Sequence, residues 1–275
     1  MKIVLTGASS GIGRYLATML VQSHEVWGIA RNGSTLSDLQ VDMGERFSFT
    51  TADVSDWDSL AGASTEIAKA WDHIDALVCC AGVVTPISPA MQVDPRQWSN
   101  AVRVNLDGTF FSVRAFFHLL KTTTSRPKVL CFSGGGATGP RPNFTAYSVA
   151  KTGLVRLVEN LAAEWVDDAI DINTIAPGAI PTRMTQAVVD VGPDCAGEEE
   201  YTSALAQQSA RDDTLDRVFD LVEYLLSPVS DGISGKLISA RWDPWQDFAQ
   251  HKDDLVGSDI YALRRIVPED RGQSW

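Results

Sequence analysis

At 275 residues the chain has room for one large domain or two small ones. Hydrophobic residues at 44% against 21% charged mark a soluble globular protein, and a formal charge of −12 disfavours nucleic acid phosphates and anionic membranes as partners. No apolar run reaches the ~20 residues of a bilayer span, and the opening Met1-Lys2-Ile3-Val4-Leu5 is too short for the apolar core of a signal peptide.

The first apolar run, 3–5, reads as a strand and leads through a glycine-rich stretch to a helix-like pattern at about 11–22. Runs 26–30 and 47–51 read as the next two strands, followed by a helix-like segment at 56–70. Strand 74–80 precedes a helical pattern at 96–120, and strand 128–132 precedes one at 145–166. Strand 170–175, a helix at 214–227 and strand 236–239 close the series. Most strand runs are apolar without alternation, as expected where helices cover both faces. The pattern predicts an α/β fold, a doubly wound parallel sheet of the Rossmann type with about seven strands and helices on both faces. One domain over 1–240 is expected to hold both cofactor and catalytic groups. Residues 183–213 break the rhythm with Gly192, Pro193, Gly197 and three glutamates at 198–200, and so long an excursion reads as a substrate lid. Residues 241–275 form a C-terminal extension.

Cys79, Cys80, Cys131 and Cys195 make no CxxC pair and read as free thiols in a reducing cytoplasm. The histidines at 24, 73, 118 and 251 have no metal-ligand spacing, so no metal is expected at the catalytic centre.

Tyr147 and Lys151, in Tyr147-Ser148-Val149-Ala150-Lys151, are four residues apart. On a helix that spacing puts a phenol and an ammonium on one face. A free phenol has a pKa of ~10, and a fixed cation nearby favours the phenolate. Thr6-Gly7-Ala8-Ser9-Ser10-Gly11-Ile12-Gly13 joins the first strand to the first helix, where glycines let backbone N–H groups approach a pyrophosphate. The two motifs together point to hydride chemistry on a carbonyl or alcohol. The second strand ends Ala30-Arg31-Asn32, with no carboxylate for the adenosine ribose of NAD. Arg31 suits the 2′-phosphate of NADP, or is a surface arginine. Asp53, before Val54, either meets the adenine amino group or caps the helix near Asp56.

These features, with Ala81-Gly82, Asn105 and Pro177-Gly178-Ala179-Ile180-Pro181-Thr182, resemble the short-chain dehydrogenase/reductase family in its compact single-domain branch, in the family's order over about 1–240. The resemblance implies that Tyr147 is the general acid in reduction and the general base in oxidation. It implies that Lys151 holds the nicotinamide ribose and lowers the Tyr147 pKa, and that Asn105 organises a water-mediated proton relay. Cofactor contacts are implied for Gly7, Ser9, Ser10, Gly11, Ile12, Gly13, Arg31, Asp53, Val54, Ala81, Gly82, Tyr147, Lys151, Pro177, Gly178, Ile180 and Thr182. The cofactor expected is NADP rather than NAD, and the substrate a small carbonyl or alcohol. The family pairs the 96–120 and Tyr147 helices across a two-fold axis. Phe110, Phe111, Phe116 and Phe117 add aromatic surface there, so a homodimer or homotetramer is expected.

The chain departs from the family in three places. Cys79-Cys80 stand where two asparagines are common. The family serine lies thirteen residues before the tyrosine, which here is Gly134, with Ser133 one residue earlier. The run Gly134-Gly135-Gly136 permits unusual backbone paths, so Ser133 is expected to reach the substrate oxygen beside Tyr147; otherwise Thr138 or a backbone N–H serves. Arg241-Trp242-Asp243-Pro244-Trp245 replaces the usual ending, and this tail either covers a neighbour's site, packs an interface or folds onto its own subunit. The alternatives to a dehydrogenase or reductase are an epimerase or dehydratase on the same scaffold, and a non-catalytic NADP(H)-binding regulator.

Overall fold

In a computed structural model, described over residues 1–209 and 213–275, seven strands form one sheet. The strands are β1 (Lys2–Thr6), β2 (Glu25–Ala30), β3 (Phe47–Thr51), β4 (Ala76–Cys79), β5 (Lys128–Phe132), β6 (Asp171–Ala176) and β7 (Leu237–Ser239). Their order is β3-β2-β1-β4-β5-β6-β7, and every pairing is parallel. The doubly wound α/β architecture expected from the alternating pattern is therefore present. The helices are α1 (Gly11–Leu20), α2 (Gly33–Met43), α3 (Trp57–Ala70), α4 (Pro95–Val102), α5 (Gly108–Leu120), α6 (Thr145–Glu164), α7 (Arg183–Ala196), α8 (Glu198–Ser209), α9 (Thr214–Leu226) and α10 (Lys252–Leu255).

Strand side chains alternate between two cores. Ile3, Leu5, Ala76, Val78, Leu130 and Phe132 pack with Leu16 and Leu20 of α1, Leu36 and Leu39 of α2, and Val218, Leu221 and Leu225 of α9. Val4, Leu77, Cys79, Val129 and Cys131 pack on the other face with Leu60 and Ile67 of α3, Val113 and Phe116 of α5, and Leu154 and Val158 of α6. Burial on both faces is why the strand runs carry so little polar alternation. The chain reverses direction across the sheet between β1 and β4, and in such sheets ligands bind beyond the carboxyl ends of the strands at that switch point.

Three segments differ from the pattern reading. α2 opens with Gly33-Ser34-Thr35, weak helix formers. Tertiary burial of Leu36 and Leu39 sustains it, and the Asn32 side chain caps it by accepting from the Thr35 amide at 3.2 Å. The 96–120 helix is broken into α4 and α5 by a π-helical turn at Arg103–Asp107. The 183–213 excursion forms α7 and α8, with a kink at Gly192 before Pro193; its residues 210–212 lie outside the described residues.

The 241–275 extension packs on its own chain. Trp245, Phe248 and Leu255 join the core beside Ile238 and Ala240. The Leu237 amide donates to the Tyr261 carbonyl at 2.8 Å, and Lys236 Nζ donates to the Ser258 and Ile260 carbonyls at 2.8 and 2.9 Å. The tail thus covers the open edge of β7. Of the four α5 phenylalanines, Phe116 is fully buried, Phe117 stacks on Trp165 and Phe111 packs against Trp57, which leaves Phe110 exposed. Among the described residues no helix is long and apolar enough to cross a membrane.

Candidate active site

A cavity of about 850 Å³ opens at the carboxyl ends of the strands. Ile12 lines its cofactor side, with Cys80, Gly82, Phe132, Ser133 and Pro177 along the strand ends. The β1–α1 turn lies beside the cavity, which Ile12 lines. Gly7 has φ +77°, and a Cβ there would lie 2.7 Å from the Ala81 amide nitrogen, so no side chain fits. Gly13 lies as tightly against the Gly7 carbonyl. Ser10 is the N-cap of α1 but makes no side-chain cap bond, so the first N–H groups of α1 stay free for an anion. Ser9, Ser10, Gly11 and Ile12 carry the chain through that helix entry. A phosphate-bearing dinucleotide fits this cradle.

At the end of β2, Arg31 is exposed, with Nη1 3.8 Å from Asp53 Oδ2. The N-terminus of α2 begins two residues later. Burial pushes the Asp53 carboxyl up, but the Ser55 hydroxyl and amide at 2.7 and 2.9 Å, with Arg31, outweigh it and hold the pKa below the usual carboxylate value. Asp56, not Asp53, caps α3. Val54 is buried against the Gly108 backbone, so its side chain belongs to the core.

Asn105 is fully buried in the π-helical turn. Its Nδ2 donates to the Val83 and Ala101 carbonyls at 2.7 and 2.9 Å, and its Oδ1 accepts from the Val83 amide at 3.2 Å. It thereby pins the backbone just after Ala81-Gly82. A Cβ on Gly82 would stand 2.7 Å from Asn105 Oδ1 and 3.6 Å from Lys151 Nζ, which shows how closely these groups converge. After β6, Pro177, Gly178, Ile180 and Thr182 line the cavity. The Thr182 hydroxyl caps α7 by accepting from the Met184 amide at 3.2 Å.

Tyr147 and Lys151 project from the first turns of α6 into the cavity. Lys151 Nζ donates to the Phe132 carbonyl at 2.8 Å and lies 5.7 Å from the centre of the Tyr147 ring. Burial pulls the Lys151 pKa down to about 8. Burial also raises the Tyr147 pKa, opposed by the positive charge of Arg141. The expectation that Lys151 lowers the Tyr147 pKa is not met in this structure, where burial outweighs the nearby positive charge, while Lys151 itself stays mostly charged below about pH 8.

Ser133 lines the cavity, but its hydroxyl makes no hydrogen bond to the Tyr147 hydroxyl. Ser133 Oγ is buried and has no hydrogen-bond partner. Gly134 occupies that place instead: a Cβ on it would fall 2.0 Å from the Tyr147 hydroxyl oxygen. The physical reason is that the residue count along the loop keeps the family register despite the glycines, so the thirteenth residue back still abuts the phenol. The 183–213 excursion, read from the sequence as a substrate lid, supplies much of the far wall of the cavity. Arg141, Glu200, Met184, Val188 and Ala204 line it, with Trp242 and Tyr261 from the extension. The individual side chains, and the contribution of Trp242 and Tyr261 from the extension, were not legible in the sequence.

A family model described as short chain dehydrogenase matches residues 1–191. The chain is 25% identical over 248 residues to a benzil reductase ((S)-benzoin forming) of Saccharomyces cerevisiae, covering 86% of this chain and 94% of the relative. It is likewise 25% identical over 239 residues to a cis-4-hydroxycyclohexanecarboxylate dehydrogenase of Sinomonas cyclohexanicum, covering 86% and 93%. Among solved structures, a short chain dehydrogenase/reductase of Saccharomyces cerevisiae superimposes with a TM-score of 0.79 at 24% identity, over 89% of this chain and 97% of that one.

Proposed function

The chain belongs to the short-chain dehydrogenase/reductase family of NAD(P)-dependent enzymes, and from that premise we propose that it is an NADP(H)-dependent oxidoreductase acting on a carbonyl or secondary alcohol. The observation that carries this reading is Tyr147, Lys151 and Gly82 lining one cavity, with Asn105 buried directly behind Gly82 and Ile12 of α1 on the same wall. When bound, the cofactor supplies or accepts the hydride. The α1 entry at residues 7–13 holds its pyrophosphate, Asp53 the adenine side, and residues 177–182 the nicotinamide side. Tyr147 gives its hydroxyl proton to the substrate oxygen in reduction and takes it back in oxidation. Lys151 holds the nicotinamide ribose, and Asn105 fixes the backbone around it. Helices α7 and α8 act as the lid over the substrate, within one catalytic domain over 1–240. A panel of ketones and secondary alcohols, followed by NADPH absorbance and repeated with NADH, tests the reading. Absence of net cofactor turnover across the panel rejects it. The named relatives favour cyclic and aromatic members of that panel as a start.

Arg31 and the start of α2 read the 2′-phosphate in this proposal. Arg31→Asp removes a phosphate partner and offers a ribose acceptor. The ratio of kcat/KM for NADPH over NADH is expected to fall at least roughly tenfold, since a charge-assisted hydrogen bond is worth about 1.5–3 kcal/mol. An unchanged ratio assigns the 2′-phosphate to another group.

The exposed side chains of Phe110 on α5 and Val149 on α6 support a homo-oligomer through those helices. Light scattering at micromolar concentration should give a dimer or tetramer mass, and Phe110→Asp should lower it. A monomeric wild-type mass refutes the assembly.

A further inference from the structure

The phenol of Tyr147 meets a backbone where a hydroxyl neighbour would be expected to steady it. Gly134 has no side chain, and Ser133 Oγ, buried without a partner, makes no bond to Tyr147. Among the described residues, one cation stands on the substrate side of the ring. The Arg141 guanidinium carbon is 3.9 Å from the centre of the Phe144 ring and 6.0 Å from that of Tyr147. The glycine turn runs alongside the guanidinium: a Cβ on Gly135 would lie 3.6 Å from Arg141 Nη1, in ordinary contact. Glu200 of α8 grips the same arginine in a fork, Nε to Oε1 and Nη2 to Oε2, each at 2.7 Å. The pair is partly shielded from solvent, with side-chain exposures of 21% and 33%. Arg141 is therefore fixed by stacking on one side and by a bidentate carboxylate on the other.

We propose that Arg141 is a positioning residue for Tyr147, supplying a fixed positive charge that steadies the ionised hydroxyl in a site where residue 134 has no side chain. The inference rests on the reading of Tyr147 as the acid–base group. Among the described residues, the other charged or titratable groups lining the cavity with the phenol are Lys151 on its own helix, Glu200 on α8, Cys80 after β4, and Asp243 and Tyr261 of the extension. Lys151 is tied to the Phe132 carbonyl on the cofactor side. Arg141 and Glu200 act from the substrate side, with opposite signs. Arg141 favours the phenolate; Glu200 holds Arg141 in place but offsets part of its charge.

That opposition separates an electrostatic role from a structural one. The test is a pH titration of the Tyr147 phenolate by ultraviolet difference absorbance in the NADP-loaded protein, with Tyr147→Phe as the blank. It is paired with the pH profile of kcat/KM for oxidation of a secondary alcohol. Arg141→Met should raise the Tyr147 midpoint by roughly one unit, moving the acid limb of the profile to higher pH. Arg141→Lys should fall between the two. Glu200→Gln retains a hydrogen-bond acceptor for Arg141, so the fold is kept while the charge is lost, and it should lower the midpoint. If Arg141→Met and Glu200→Gln move the midpoint in the same direction, or leave it in place, the pair is only a structural clasp and the proposal falls. If Tyr147→Phe keeps its turnover, the acid–base reading itself fails, and the absorbance titration still decides whether Arg141 acts on the phenol.

Discussion

Tyr147→Phe is expected to cut kcat by roughly 10²–10⁴-fold, the usual contribution of one positioned acid–base group. Binding of NADP(H) should stay nearly unchanged. The ring remains packed with Val84, Phe144, Val188 and Ala204, and only the hydroxyl is lost. The pyrophosphate cradle at Gly7 and the α1 N-terminus lies on a separate element and is untouched. Stopped-flow turnover and a cofactor titration by nicotinamide fluorescence check the two halves. Near-wild-type turnover would remove Tyr147 from the chemistry. A collapse of cofactor affinity would mean that the substitution has disturbed the fold of α6 instead.

Lys151→Ala is expected to weaken both cofactor binding and rate. The ammonium is buried and makes one charged hydrogen bond in this structure, to the Phe132 carbonyl. A charge-assisted bond to a ribose hydroxyl is worth about 1.5–3 kcal/mol, so NADP(H) affinity should drop roughly 10- to 100-fold. The pH dependence carries the sign. Burial lowers the Lys151 pKa to about 8, so the charged form dominates below that pH and is lost above it. Cofactor affinity in the wild type should therefore decline as pH rises through about 8, and the decline should be absent in Lys151→Ala. Equal pH dependence in both proteins would place the titrating group elsewhere.

Much of this was readable along the chain because it depends on local period and spacing. The alternation of short apolar runs with amphipathic segments determined a parallel, doubly wound sheet, since strands covered on both faces need apolar side chains throughout. The spacing of Tyr147 and Lys151 placed them on one helical face, and Gly7 to Gly13 marked the strand-to-helix turn. α2 escaped that reading because its helicity comes from buried Leu36 and Leu39 rather than from propensity. The break between α4 and α5 escaped it because a π-helical turn leaves the apolar period almost intact. The 183–213 excursion was legible along the chain, but which of its side chains line the cavity was decided by tertiary structure. Ser133 looked able to reach the phenol, but its hydroxyl makes no bond to it and Gly134 stands against Tyr147. Arg141 and Glu200 are 59 residues apart and meet only because α8 folds back over the glycine turn. Such a contact has no local period: it arises from the packing of Phe144, Val188, Ala196 and Ala204 into one small core, which brings two distant charges within bonding distance.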